Sequence, residues 1–240
     1  MILSFSANRH GRDFFCGDLH GMYEPLFTAL HSQGFDFKHD RLFCTGDLID
    51  RGPDSLACLN LLEQQWFFAV RGNHEALLLD AVLDTNKQAR EFWAANGGDW
   101  AQALDETSLR QCAELIKAHM PLMLEVCNPG FHISLCHASY PTNDWSQRQQ
   151  IAQDPKQAAH IIWSRRRFRN NRTQLIRHTD CMLHGHNIVD RPRRLGNLLF
   201  IDTGAFLTGR VTLLTTQSLK DRMRPSAKKH TGVPPLHPVK

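Results

Sequence analysis

Apolar and polar positions follow two different periods along this 240-residue chain. Asp13 to Cys16, Arg41 to Thr45 and Trp66 to Val70 are short runs rich in aromatic, aliphatic and cysteine residues, with the length of buried strands. Between them the period changes to that of a helix. Leu26, Ala29 and Leu30 share one face over Met22 to Gln33, which Gly34 stops, and Leu56, Leu59 and Leu62 recur over Asp54 to Gln64. The order strand, helix, strand, helix, strand predicts an α/β fold. From Glu75 to His119 the pattern is helical, broken at Asn96-Gly97-Gly98 and ended by Pro121. Within it the spacing of Phe92, Trp93 and Trp100 assigns all three to the core. Past Pro121, β-like runs return at His132 to Cys136, Cys181 to Leu183, Leu198 to Ile201 and Val211 to Thr215, so the second half is expected to add mostly sheet.

The length suits a single domain with a sizeable core. No apolar run approaches the roughly 18 to 20 residues of a membrane-spanning helix, and the amino terminus interleaves Ser4, Ser6, Asn8 and Arg9 without a signal-peptide core. The seven cysteines are odd in number and form no CxxC pair. That argues against a disulfide framework and for a reducing, cytoplasmic setting, with Cys16, Cys44 and Cys136 as small buried hydrophobes. The net charge of +4 invites a nucleic-acid reading, but its distribution does not. Residues 217–240 contain four Lys and two Arg against one Asp, a net +5 that leaves −1 for residues 1–216. Residues 1–216 are therefore expected to be the folded domain and 217–240 a basic, disordered tail with little to bury. A near-neutral body argues against nucleic acid as the partner.

Chemistry concentrates where the early strands end. Gly17-Asp18-Leu19-His20-Gly21, Gly46-Asp47-Leu48-Ile49-Asp50-Arg51-Gly52 and Arg71-Gly72-Asn73-His74-Glu75 each follow a strand-like run. Asp18 and His20 are two residues apart, so in an extended segment both side chains face the same way and can grip one ion. A carboxylate at Asp47 can bridge two ions at the roughly 3.5 to 4 Å that two-metal hydrolysis uses. Asn73 offers a neutral oxygen to the second ion, and His137 and His186 are the candidates to complete its ligands. Such a mixture of imidazole, carboxylate and amide suits Mn²⁺, Fe or Zn²⁺ better than Ca²⁺. It points to hydrolysis of a phosphate ester by a metal-bridging hydroxide attacking in line. The leaving alkoxide then needs a proton, for which His74 oriented by Asp50 is the candidate acid. Arg51 and Arg71 supply guanidinium forks suited to a phosphate.

These blocks resemble the PPP family of metallophosphatases, whose signature is GDxHG, GDxxDRG, GNHE and two later histidines. The chain is most similar to its short bacterial and bacteriophage lambda-type members through Asn96-Gly97-Gly98-Asp99-Trp100, Cys136-His137-Ala138-Ser139-Tyr140-Pro141, Ile162-Trp163-Ser164-Arg165 and Ile201-Asp202-Thr203-Gly204-Ala205. The resemblance covers about residues 13 to 215 and implies a calcineurin-like α/β fold, a central β-sandwich flanked by helices. It also implies Asp18, His20 and Asp47 on one ion, Asp47, Asn73, His137 and His186 on the other, and His74 paired with Asp50. Arg51, Arg71 and Arg165 would grip the phosphate, and Mn²⁺ would be the activating ion. Phosphorylated proteins are the implied substrates, through phosphoserine and phosphothreonine, with phosphotyrosine an added class because attack falls on the phosphoryl group itself.

Two departures and two alternatives accompany that resemblance. Asn187 follows His186 where such proteins often have Thr, and the stretch containing Arg165, Arg166, Arg167, Arg169, Arg172 and Arg177 is unusually basic. Arginines 166 to 177 are expected mainly on a solvated face, and His178 and His184 in structural roles. The first alternative is a dinucleoside polyphosphate hydrolase, such as one acting on diadenosine tetraphosphate; those relatives typically lack the aspartate of the DRG block, present here as Asp50. The second is a polyanion-binding module with a vestigial metal site.

Overall fold

A computed structural model describes residues 2–83 and 87–224. Ten strands run β1 (Ile2–Ser6), β2 (Asp13–Cys16), β3 (Arg41–Cys44), β4 (Phe67–Ala69), β5 (Met123–Asn128), β6 (Phe131–Cys136), β7 (Cys181–His184), β8 (Arg193–Leu195), β9 (Leu198–Phe200) and β10 (Leu213–Thr215) among the described residues. They form a four-stranded sheet in the order β10-β2-β3-β4 and a six-stranded sheet in the order β1-β5-β6-β7-β9-β8. Strands β2, β3 and β4 are parallel, as are β6, β7 and β9.

Adjacent residues on a strand point to opposite faces, and here both faces of each sheet are covered. Phe15, Phe43 and Val70 from one sheet meet Leu124, Val126, Ile133, Leu135, Leu183 and Leu199 from the other in a single apolar layer. Their neighbours Phe14, Leu42, Cys44 and Ala69 face outward, under Leu26 and Leu30 of the helix Tyr23–Ser32 and Ile116 of the helix Glu106–His119. On the far side, Met123, Met182, Leu198 and Phe200 lie beneath Ile151 and Ile161 of the helices Arg148–Gln153 and Pro155–Trp163. The result is the sandwich flanked by helices, in one domain. Burial on both faces explains why β2, β3 and β4 are continuous apolar runs rather than alternating ones. Truncating a ring such as Phe43, fully buried between the sheets, would cost about 3 to 5 kcal/mol.

Several elements differ from expectation. Strands β1, β5 and β8 carry no clear strand signal, yet β1 pairs in parallel with β5 and seats Phe5 against Phe43 and Phe68 at ring separations of 5.1 and 4.5 Å. The helical stretch begins at Asn73 rather than Glu75, in the helix Asn73–Leu83, which puts two candidate site residues on a helix's first turn. The domain boundary expected after residue 216 falls inside a helix, Thr216–Met223. It is opened by a capping box between Thr215 and Ser218 and anchored by buried Leu219. The rest of the expected disordered tail, residues 225–240, lies outside the described residues. Arg167, expected on a solvated face, is instead buried, and it donates to the main-chain oxygens of Tyr140 and Thr142 at 2.7 and 2.5 Å. No helix among the described residues is long and apolar enough to cross a membrane.

Candidate active site

Six parallel strands deliver the candidate residues at their carboxyl ends. Asp18 and His20 follow β2, Asp47, Asp50 and Arg51 follow β3, and Asn73 and His74 follow β4, while His137, His186 and Asp202 follow β6, β7 and β9. The turns that present them are tight. His20, Asp47, Asp50, Arg51 and His186 all have left-handed backbones, with φ of 46°, 49°, 74°, 72° and 62°, a conformation costly for residues with a Cβ and concentrated at functional sites. Two glycines make room for the carboxylates. A Cβ on Gly72 would collide with Asp47 Oδ1, and one on Gly185 with Asp18 Oδ1.

Asp47 is the hinge of the cluster. Its Oδ2 lies 3.7 Å from His20 Nε2 and 3.3 Å from His137 Nε2, between two rings fixed from behind. His20 Nδ1 donates to the Ile49 carbonyl at 3.0 Å and His137 Nδ1 to the Thr45 carbonyl at 2.8 Å, which directs each Nε2 toward Asp47. Asn73 Oδ1 is 3.0 Å from the same His137 Nε2. Donor atoms of Asp47, His137 and His186 all lie within 4.8 Å of one another, as do those of His20, Asp47 and His74. Asp18 is tied to both halves: Oδ1 accepts from Thr45 Oγ1 at 2.8 Å and Oδ2 from the His186 amide at 2.7 Å. The structure thus brings Asp18, His20, Asp47, Asn73, His137 and His186 together.

The electrostatics of this cluster suit a cation. Burial, aided by neighbouring His74 and Arg51, pushes His20 down to about 3, and burial together with His137 does the same to His186, so both rings are neutral and each carries a lone pair. Burial works against the Asp47 carboxylate, but His137 and His74 hold it well below the usual range. His137 moves the other way: burial disfavours its charge, yet Asp47 and Asp18 raise it to about 10. Around His137 Nε2 stand two acceptor oxygens, from Asp47 and Asn73, and a proton on that nitrogen meets a demand for positive charge that a divalent ion would also meet. The donor set, the acceptor oxygens gathered on His137 Nε2 and the two glycine cradles fit a pair of divalent cations.

His74 stands beside this cluster with its amide on Asp47 Oδ1 at 2.9 Å and its Nδ1 on Asp50 Oδ2 at 2.7 Å. Its ring meets that of His20 edge to face at 4.7 Å. Trp93 and Trp100, expected in the core, both turn their indole N–H groups to Asp50: Trp93 at 3.1 and 3.0 Å to the two oxygens, Trp100 at 2.7 Å to Oδ1. Phe92 is exposed. Arg51 and Arg165 both line the cavity over the cluster, and each reaches a ring nitrogen, Arg51 Nη1 to His20 Nε2 at 2.7 Å and Arg165 Nε to His186 Nε2 at 3.1 Å. Arg71 does not line it. Half-buried, it has an Nε without a hydrogen-bond partner among the described residues.

The cavity has a volume of about 450 Å³. Asp202, Asn187 and Phe206 are among its lining residues to which the sequence assigned no role. Asp202 is buried beside Asp47, and burial first and then that neighbour raise its carboxyl group. Buried Asn187 presents an Nδ2 with no hydrogen-bond partner among the described residues, a free donor for an anion. Phe206 packs edge-on against His20 at 5.0 Å and lies under the Arg51 guanidinium at 4.9 Å. Behind the site, Glu75 accepts from the amides of Asp47, Leu48 and Gly72 at 3.0, 2.7 and 2.8 Å and so fastens two ligand-bearing loops together. Burial, then Asp47, push it up to about 7. Only the quoted motif strings could have flagged Glu75 and Asp202, because their roles arise from tertiary contacts. A separate cavity of about 370 Å³ beside Tyr23, Phe27, Phe37 and Trp66 is lined by aromatic, aliphatic and amide groups and offers no comparable chemistry.

Comparison with known proteins bears on the same residues. Residues 14–201 match the calcineurin-like phosphoesterase family. The chain is 38% identical over 206 residues to serine/threonine-protein phosphatase 1 of Salmonella typhimurium, covering 84% of this chain and 90% of that protein. It is 34% identical over 212 residues to serine/threonine-protein phosphatase 2 of Escherichia coli, covering 86% and 94%. A protein serine/threonine phosphatase structure from Saccharomyces cerevisiae superposes with a TM-score of 0.59 at 16% identity, over 84% of this chain and 70% of that one, a likeness of fold alone.

Proposed function

The chain belongs to the calcineurin-like phosphoesterase family, and from that premise we propose that it is a metal-dependent protein phosphatase, releasing phosphate from phosphoserine and phosphothreonine side chains, and from phosphotyrosine. The relatives named serine/threonine-protein phosphatase support this reading over nearly their whole length. The observation that carries it is the position of Asp47 Oδ2 between His20 Nε2 and His137 Nε2, 3.7 and 3.3 Å away, next to the His74–Asp50 pair.

Asp18, His20 and Asp47 would hold one divalent ion, and Asp47, Asn73, His137 and His186 the other, with Mn²⁺ the proposed metal. When bound, such a pair supplies an activated water and offsets charge on the phosphoryl oxygens. The protein's own residues do the rest. Arg51 and Arg165, both on the cavity wall, turn planar forks toward the phosphate and fix its orientation. Asp50 takes the Nδ1–H of His74, leaving Nε2 as the nitrogen that holds the proton for the leaving alkoxide. Phe206 closes one wall and keeps solvent from the face of His20. A cytoplasmic phosphoprotein is the proposed partner.

Purified protein supplied with Mn²⁺ is expected to hydrolyse p-nitrophenyl phosphate and phosphothreonine peptides, with diadenosine tetraphosphate a poor substrate. Metal-loaded protein inert toward every phosphomonoester would end the proposal, and faster turnover of the dinucleotide would replace it with the polyphosphate reading.

A further inference from the structure

We propose that a second, basic cavity next to the candidate active site receives acidic residues flanking the phosphorylated side chain of the substrate; the proposal rests on the phosphatase reading above. This cavity, about 550 Å³, shares Phe168 and Ile188 as a common wall with the site that holds Asp47 and Arg165. Beyond that wall stand Arg191, Arg193 and Arg194, opposed by Asp190 alone among the charged residues lining it.

The guanidinium groups are held in place without being neutralised. Arg193 lies 4.8 Å from the Phe168 ring centroid and donates to the Asn171 side-chain oxygen. Arg194 donates to the main-chain oxygens of Gly196, Arg222 and Arg224 at 2.7, 2.7 and 3.0 Å. These acceptors are neutral amides, so the positive charge is positioned and left for an anion from outside. Arg191 is exposed at the cavity edge.

The other features of the wall select a peptide. Ile188, on the wall shared by the two cavities, is 46% exposed, an apolar shelf for side chains between phosphate and carboxylates. The one aromatic ring lining this cavity, Phe168, has Arg193 over one face and Phe200 against it at 5.0 Å, which leaves an adenine at most one face on which to stack.

The test compares a phosphothreonine peptide bearing Asp at the two positions on each side with its Asn-substituted twin. Wild-type protein with Mn²⁺ is expected to favour the acidic peptide about tenfold in kcat/KM, chiefly through KM, with the preference fading as salt rises. In the double variant Arg191→Gln, Arg193→Gln the ratio should fall toward one, and Arg191→Gln alone, an exposed change, should lower it about threefold. A wild-type ratio near one, or a ratio that survives in the double variant, overturns the inference while peptide hydrolysis itself still supports the phosphatase reading. Loss of all phosphopeptide and p-nitrophenyl phosphate turnover in the wild type is the separate failure of that reading. If the variants weaken turnover of diadenosine tetraphosphate and leave the peptide ratio intact, the cavity is a nucleotide subsite and the inference is wrong.

Discussion

The indole N–H of Trp100 donates to Asp50 Oδ1 at 2.7 Å, on the carboxylate whose other oxygen takes His74 Nδ1. Trp93 adds a further N–H shared between both oxygens, and Ser55 Oγ accepts from the Asp50 amide at 2.8 Å. Asp50 is therefore locked in position and orients one imidazole. Two tryptophans at the Asn96-Gly97-Gly98 bend serve the proposed proton donor, although neither touches substrate.

Removing one of those donors should be felt at the chemical step. Trp100→Phe keeps the ring and deletes the N–H, and is expected to lower kcat about three- to tenfold on phosphothreonine peptides with KM little changed. On p-nitrophenyl phosphate, whose leaving group needs little protonation, the effect should shrink. Equal losses on both substrates would assign Trp100 to general stability.

His74→Asn removes the nitrogen that would hold the leaving group's proton, and about 10² to 10⁴ in kcat should go with it. Bound metal should stay near the wild-type level, because His20 and His137 are oriented by the Ile49 and Thr45 carbonyls, independently of His74. Metal analysis of the variant decides the point. Since His74 also lies within reach of His20 and Asp47, loss of an ion would make it a ligand.

The contrast between residues legible in the sequence and those that were not has a physical pattern. Strands β2, β3 and β4 are buried on both faces and so appear as unbroken apolar runs, with the polar blocks that follow them marking the site. β8 contains Arg193 and Arg194, and β5 carries Glu125 at its centre, both against strand composition. Tertiary contacts outweigh local preference there. The same holds for Trp93 and Trp100: helical spacing places them inward, but nothing local says that an aspartate 43 or 50 residues away waits for their N–H groups. Arg71 and Arg165 show the limit from the other side, since equal chemistry in the sequence led to one arginine in the cavity and one outside it.

The cradle at Gly185 makes a sharper demand than the ligands themselves. Any Cβ there meets Asp18 Oδ1 and Thr45 Oγ1, the pair whose 2.8 Å hydrogen bond aims the carboxylate. Gly185→Ala is expected to displace Asp18, to weaken Mn²⁺ binding at least about tenfold, and to reduce kcat/KM with it. Titration of the purified variant with Mn²⁺ measures this directly. Wild-type affinity would show that Asp18 contributes nothing to holding the ion.

Glu125 governs the acid stability of the far side of the fold. It is only 4% exposed, and its carboxylate accepts from Ser4 Oγ at 2.6 Å, Trp145 Nε1 at 2.6 Å, His132 Nε2 at 3.1 Å and Arg148 Nη2 at 3.2 Å. Burial opposes its charge, but the hydrogen bonds from His132, Ser4 and Trp145 and the nearby Arg148 lower it from 4.5 to about 2. A carboxyl group depressed by folding contributes stability that is complete above its unfolded value and lost as pH falls from 4.5 toward 2. Glu125→Gln should therefore cost about 1 to 3 kcal/mol at pH 7, the lower figure allowing for solvent screening by the partly exposed His132 and Arg148. The difference from wild type should narrow below about pH 4 and vanish near pH 2. Urea denaturation of both proteins at pH 7, 5 and 3 follows the difference and cancels acid effects common to both, such as protonation of the candidate metal ligands. A gap that stayed constant across that range would show that Glu125 acts through shape and not through its charge.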